Sequence, residues 1–471
     1  MAQPLKNRKK NRDCSLPGNG SQKKEVRKGC FPSGTISGEE KMAKKRYAVC
    51  GVSSRGLYQY IKQIVENFKD HAELVALLDI DPLRFQICYE DFPSTKDVPG
   101  YMPDEFDKMI EETRPDALII TSMDCTHVTY LVKGLEKGLD VITEKPMCTN
   151  TEDCLKVLEA EEKSKGKVIC TFNYRYNPIH RKVKELVLEG AVGRVTHVDL
   201  TWYIDIRHGS SYFNRWNRMR ENSGSLSIHK ASHHFDLVNW WVDGAPMQVH
   251  AFGALNHYGP KGEFNPSVKD GRHCDQCKER RHCAYRSRWE TRNAVYMPDD
   301  DHINAFFQKR KLFTEYRPDM CIFDSQINIH DTLVANVRFN NGALLNYSAN
   351  FSTPYEGYHL AINGTRGRLE TTEFGGSGGA ALPNINEGGV QYIDLYPIFE
   401  GRQRIHVPKG VGGHGGGDPV ILEDIFMGED PDRKYNILAK SVDGLRAIGC
   451  GDAVWNSIMQ NNVQDLSSFM K

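Results

Sequence analysis

Apolar positions change their spacing along the chain near residue 168. Between residues 46 and 147, short apolar runs (Tyr47 to Cys50, Leu74 to Asp79, Ala117 to Ser122, Leu139 to Thr143) alternate with amphipathic helical stretches. Such alternation predicts a doubly wound parallel sheet with helices on both faces. Beyond residue 168, strand-like runs predominate at Val168 to Phe172, Val195 to Tyr203, Val334 to Phe339, Ala343 to Ala349 and His359 to Ile362, with helical patterns at 178–189 and 231–242. That mixture predicts an α+β domain built on one large, mostly antiparallel open sheet. The Gly-rich stretches 375–389 and 410–417 read as loops.

Hydrophobic residues make up 39% of the 471, enough for full cores. Lys+Arg and Asp+Glu both total 61, so the balance favours neither nucleic acid nor an anionic membrane surface as a partner. No apolar run reaches the roughly 18 residues of a membrane-spanning helix. Residues 1–40 hold nine Lys/Arg and four Asp/Glu but no apolar signal-like segment. The expected location is the cytoplasm, with residues 1–42 as a disordered basic tail.

The first strand runs into Gly51-Val52-Ser53-Ser54-Arg55-Gly56 and then a helical pattern. This is G-x-G-x-x-G spacing with Ser53 at the middle glycine, a residue small enough to let backbone N–H groups approach a pyrophosphate at a helix N-terminus. Asp79 closes the next apolar run 23 residues after Gly56, where an acid hydrogen-bonds the ribose hydroxyls of a dinucleotide. Ile80 follows it, rather than an Arg to pair with a 2′-phosphate, so NAD is favoured over NADP. A cofactor-binding Rossmann domain is therefore expected over 43–167, and a substrate and oligomerisation domain over 168–471.

Residues 117–147 add Asp124, His127 and Glu144-Lys145-Pro146 to this loop and acid. Together they resemble the Gfo/Idh/MocA family of nicotinamide-dependent sugar and cyclitol oxidoreductases. "TFNYRYNP" (171–178) is similar to that family's domain junction, "SIHKASHHFDLVNWWV" (227–242) to its catalytic helix, and "GGHGGGD" (412–418) to a substrate loop of some members. The resemblance implies an open sheet that mediates homo-oligomer contacts. It also implies catalysis by the Lys of the EKP motif with an Asp and a His spaced D-x-x-x-H. Lys145 and His233 match, whereas His229 stands at the Asp position. On a continuous helix His229 and His233 share one face, with Asp236 free to orient His233 or serve the fold.

Removing a hydroxyl proton as hydride leaves a secondary alcohol suits an imidazole base, here His233, with Lys145 stabilising the developing alkoxide. Arg175 with Tyr176, and Arg215 with Trp216, offer forked donors and stacking surfaces for a polyol. Lys230 and the loop residues His414 and Asp418 complete the expected substrate contacts. The chain thus reads as an NAD-dependent oxidoreductase acting on a sugar, sugar derivative or cyclitol hydroxyl. The alternative is a redox-neutral glycoside-cleaving enzyme that oxidises, eliminates and re-reduces with bound NAD, for which His229, Lys230 and His414 supply extra bases.

"HCDQCKERRHCAY" places Cys274, Cys277 and Cys283 in a polar insertion spanning about 256–325. A structural zinc would order such a segment, with Cys321 as fourth ligand and His273 or His282 as substitutes. An iron–sulfur cluster or reduced thiols are the other readings.

Overall fold

The structure, a computed structural model, describes residues 43–266, 273–274, 277–279, 282–285, 319–375, 390–433 and 435–470. The predicted tail, the Gly-rich stretch over 376–389 and most of the Cys-rich insertion lie outside them.

The N-terminal sheet contains β1 (Lys45–Cys50), β2 (Ala72–Leu78), β3 (Gly100–Tyr101), β4 (Ala117–Ile120), β5 (Asp140–Thr143) and β6 (Val168–Cys170), all parallel, in the order β6-β5-β4-β1-β2-β3. The chain reverses winding between β1 and β4, which opens a crevice at their C-terminal ends, the usual ligand position in doubly wound sheets. Residues 47–50 and 117–120 are completely buried, because helices cover both faces; these strands therefore read as unbroken apolar runs.

The second sheet is larger: β7 (Val195–Asp205), β8 (Pro246–Ala254), β9 (Thr332–Phe339), β10 (Leu344–Thr353), β11 (Glu356–Gly364), β12 (Gly367–Gly375), β13 (Val390–Pro397) and β14 (Gln403–Pro408). Two further short strands, β15 (Ala439–Lys440) and β16 (Gln464–Asp465), follow. The order is β14-β13-β12-β11-β7-β10-β9-β8-β16, antiparallel except between β7 and β10. Alternating buried and exposed positions along β9 show one face on the core and one open. Phe252, Val334 and Leu344 are exposed at 57%, 45% and 46%. Strand β15 pairs antiparallel with β6, so the C-terminal segment closes the edge of the N-terminal sheet and ties the two sheets into one body.

One helical expectation is corrected. The segment around His229 and His233 is not one helix: Leu226–His229 is a single turn, and a second helix, Ser232–Val242, begins after Lys230-Ala231. The 410–417 stretch is irregular through Gly416, with His414, Gly415 and Gly416 held at positive φ, and leads into a helix that ends at Met427.

Candidate active site

Gly51 sits at φ +97°, and a Cβ there would collide with the Ser122 backbone. A Cβ on Gly56 would lie 2.6 Å from both the Gly51 carbonyl and Thr121 Oγ1. Both glycines are therefore needed for the loop to press onto β4. Ser53 does more than stay small: its hydroxyl donates to the Thr121 carbonyl (3.0 Å) and accepts from Gly56 N (3.2 Å), closing the loop on itself. A π-helical turn, Gly56–Ile61, follows. Asp79 accepts from Val52 N at 2.7 Å and lies 3.4 Å from Arg84 Nε. Burial raises its pKa, against the pull of Arg84. The tight backbone approach and the acid beside it fit the pyrophosphate and ribose of a dinucleotide.

A cleft of about 570 Å³ extends from this loop into the C-terminal half, lined by Ser54, Asp124, Lys145, Arg215, Trp216, His229, His233 and His414 among others. Lys145 Nζ donates to the His229 carbonyl at 3.0 Å. Burial pushes its pKa down to about 8, with Asp124 and Glu144 resisting. Burial raises Asp124 to about 7, with His127 and Lys145 resisting. Asp124 Oδ2 lies 2.5 Å from His229 Nδ1, and Asn217 Nδ2 donates to His229 Nε2 at 3.1 Å. An accepting Nε2 makes Nδ1 the protonated nitrogen, so His229 is neutral and donates to Asp124. Burial, Lys145 and Arg215 all hold its pKa low.

His233 stacks on Tyr174 with ring centroids 4.3 Å apart, and its Nδ1 is buried with no hydrogen-bond partner among the described residues. Burial and Lys145 keep it neutral. Lys230 Nζ donates to the Tyr174 hydroxyl at 3.1 Å, and Lys230 is not among the residues lining the cleft. His414 Nδ1 lies 2.8 Å from Asp418 Oδ2, while Asp418 Oδ1 accepts from Asn173 (2.5 Å) and Arg55 (3.2 Å). Burial opposes ionisation of Asp418, but these donors win and hold it well below the carboxylate range. Asp418 thus orients His414.

Several expected contacts are redistributed. Arg175 is fully buried, paired with Asp236 at 2.6 Å and Asp443 at 3.0 Å, and cannot touch a substrate. Asp236 therefore serves the fold. Tyr176 is buried and donates to Asp424 at 2.7 Å. Arg55 Nε donates to Glu144 at 2.6 Å, and Tyr60 donates to the same Glu144 oxygen at 2.8 Å. Arg55 and Glu144 line the cleft, but as a clamp between the cofactor loop and the EKP strand end. His127 bonds the Pro146 and Ser122 carbonyls, fixing that strand end to the loop after β4.

The zinc expected at Cys274, Cys277, Cys283 and Cys321 finds no support: among the described residues no group of three or more His, Cys, Asp and Glu side chains converges to hold a metal ion. Among the described residues of this segment, a strand bridge joins His273 to Met320, His273 lies 2.7 Å from Asp319, and Tyr285 packs on Phe323.

The sequence pattern missed Arg84, Asn217 and Asn173. Arg84 is five residues beyond Asp79, where only the first turn of the helix Leu83–Asp91 brings it back. The two asparagines carry no motif.

Residues 45–172 match the family model described as "Oxidoreductase family, NAD-binding Rossmann fold", and residues 184–465 match "Oxidoreductase family, C-terminal alpha/beta domain". The putative oxidoreductase YteT of Bacillus subtilis is 51% identical over 419 residues, covering 88% of this chain and 96% of its own length. An inositol 2-dehydrogenase of Rubrobacter xylanophilus is 28% identical over 188 residues, 39% of this chain and 48% of that one. The WlbA dehydrogenase of Bordetella pertussis, solved with NADH and UDP-GlcNAcA, shares the fold with a TM-score of 0.58 at 18% identity, covering 90% of this chain and 99% of that one. No helix among the described residues is long and apolar enough to cross a membrane.

Proposed function

The chain belongs to the Gfo/Idh/MocA oxidoreductase family, and on that premise we propose that it oxidises a secondary hydroxyl of a sugar, sugar derivative or cyclitol with NAD. The observation that carries this reading is the convergence of Lys145, His229 and His233 with Asp124 in the cleft that opens from the glycine loop. When bound, the nicotinamide supplies the acceptor for the hydride leaving the carbinol carbon. His233 takes the hydroxyl proton. It is neutral, it lines the cleft, and its buried Nδ1 leaves Nε2 as the nitrogen a ligand can meet. His229 has both ring nitrogens engaged and acts by position, its carbonyl aiming the Lys145 ammonium at the developing alkoxide. Asp79 and the loop Gly51-Val52-Ser53-Ser54 hold the adenosine and pyrophosphate end.

The open face of the large sheet, with Phe252, Val334 and Leu344 exposed, supports a homo-oligomer. Buried thiols outside any disulfide, such as Cys50, Cys170 and Cys450, support a cytoplasmic location.

The test is to purify the protein, assay it for bound NAD, and incubate it with polyols, sugars and glycosides while following NADH by absorbance and products by mass spectrometry. NADH accumulating with a product two hydrogens lighter is the expected result. Glycoside cleavage without NADH would replace this reading with the redox-neutral one.

A further inference from the structure

Charge along the cleft is uneven. Three carboxylates line it and each is already matched, Asp79 by Arg84, Asp124 by His229 and Glu144 by Arg55. Arg215 lines the same cleft, half-buried, and no carboxylate among the described residues pairs with it. Its Nε donates to the Ser211 carbonyl at 2.7 Å and its Nη2 to Ser211 Oγ at 3.0 Å. Ser211 lies four residues earlier in the helix Ile206–Phe213. These two bonds fix the plane of the guanidinium and leave its end-on edge, Nη1 with the second Nη2 proton, without an acceptor among the described residues. Beside it, Trp216 meets His229 edge-on with centroids 5.7 Å apart, so the fork and an indole wall stand next to the residue that positions Lys145.

A partly desolvated guanidinium with a preset fork is complementary to one group above others, a planar carboxylate accepting two parallel hydrogen bonds. Phosphate sites gather several cations or a helix N-terminus around three oxygens. Here the other cations on the cleft wall are committed: Arg55 to Glu144, Arg84 to Asp79, and Lys145 to the His229 carbonyl.

We infer that the substrate of this cleft is a carboxylate-bearing sugar, a uronate or sugar acid, whose carboxylate docks end-on against Arg215 while its ring lies along Trp216. The inference rests on the dehydrogenase reading for the carbinol position only; the carboxylate contact itself needs no turnover.

The experiment uses the full-length protein saturated with NADH and titrates it with D-galacturonate and D-glucuronate, with D-galactose and D-glucose, and with the two hexose 6-phosphates. Within each series only the group at C6 changes. Binding is read by calorimetry and by NADH fluorescence. The uronates are expected to bind about 10- to 100-fold tighter than the hexoses, the range for hydrogen bonds to a charged group. In Arg215→Met that preference disappears, with NADH binding serving as the control for folding. Arg215→Lys, which keeps the charge and loses the fork, retains a smaller preference. Equal binding of uronates and hexoses, tighter binding of the 6-phosphates, or a uronate preference that survives in Arg215→Met would each overturn the assignment. Turnover with NAD is assayed separately. Uronate preference without NADH formation would leave the carboxylate site standing and remove the dehydrogenase reading.

Discussion

The cofactor half and the substrate half of the cleft are built by different means. On the cofactor side six contiguous residues, Gly51 to Gly56, and one acid from the next strand do the work, and their spacing is dictated by backbone geometry. On the substrate side Lys145, Arg215, His229, His233 and His414 come from several stretches of chain, and each is held by a different kind of partner, from a carboxylate 105 residues away for His229 to neighbours four residues off for Arg215 and His414. Asp124 holds His229 and Asp418 holds His414. A site made of backbone is written locally. A site made of side chains is defined by what pairs each of them. Arg175 and Arg215 make the contrast concrete, since both precede an aromatic residue and both offer the same fork. One is buried between two carboxylates, and the other faces the cleft with Ser211 as its hydrogen-bond partner among the described residues.

The largest effect tests that contrast directly. Arg175→Met strands Asp236 and Asp443 without their cation, and loss of a buried pair's partner costs about 3–5 kcal/mol. Arg215→Met, away from any ion pair, is expected within about 0.5 kcal/mol of the parent. Denaturant melts of the two variants measure both, and equal losses would break the division between framework and site.

Next in size is Lys145→Met. Removing the charge beside the developing alkoxide lowers kcat about 10²- to 10³-fold, the range for a lost electrostatic stabiliser, with NADH affinity kept. Stability should move the other way. Lys145 has its pKa pushed down to about 8 by burial first, below its unfolded value, so the folded state disfavours the proton. The resulting penalty is complete below pH 8 and disappears as pH rises past the unfolded pKa. At pH 7 the neutral methionine relieves it, and Tm rises by on the order of 2 °C. A lower Tm would show that Lys145 is part of the framework after all.

How much of this was legible in the chain follows the same line. The doubly wound sheet and the glycine loop were visible because burial on both faces leaves unbroken apolar runs and because the turn needs glycine at fixed offsets. The partner of His229 was not. A carboxylate at the D-x-x-x-H position would have been found by spacing, but here it arrives from Asp124, 105 residues earlier. That fact also explains why a histidine can stand at the Asp position. The break at Lys230-Ala231 was hidden as well, since both short helices carry the same apolar pattern.

Asp124→Asn sharpens the point at smaller amplitude. Burial first, opposed by His127 and Lys145, raises this carboxyl to about 7, so its ionisation falls within the working range. The ionised form accepts the His229 Nδ1 proton, and the oxidation rate of the parent should therefore climb as pH passes through about 7. Asparagine still accepts through Oδ1 and keeps His229 in place, but it cannot titrate. The expected outcome is a kcat about tenfold lower, for one weakened charge-assisted hydrogen bond, and a profile without that rise. A variant that keeps the rise would assign it to another group.

An effect of similar size lies on the cofactor side, where sequence spacing was most informative and still incomplete. On the proposed reading Asp79 favours NAD by accepting ribose hydroxyls and repelling a 2′-phosphate, yet Arg84 stands 3.4 Å away and lines the same cleft. The two charges pull cofactor choice in opposite directions. Asp79→Ala frees Arg84 for a phosphate and should narrow the preference for NADH over NADPH by about tenfold, the equivalent of one hydrogen bond to a charged group. Arg84→Ala should widen it, since the acid then acts unopposed. Fluorescence titrations with both reduced cofactors decide the matter. If Arg84→Ala instead weakens both cofactors equally, the guanidinium serves to hold Asp79 and the loop in place, and selection between the cofactors belongs to Asp79 alone.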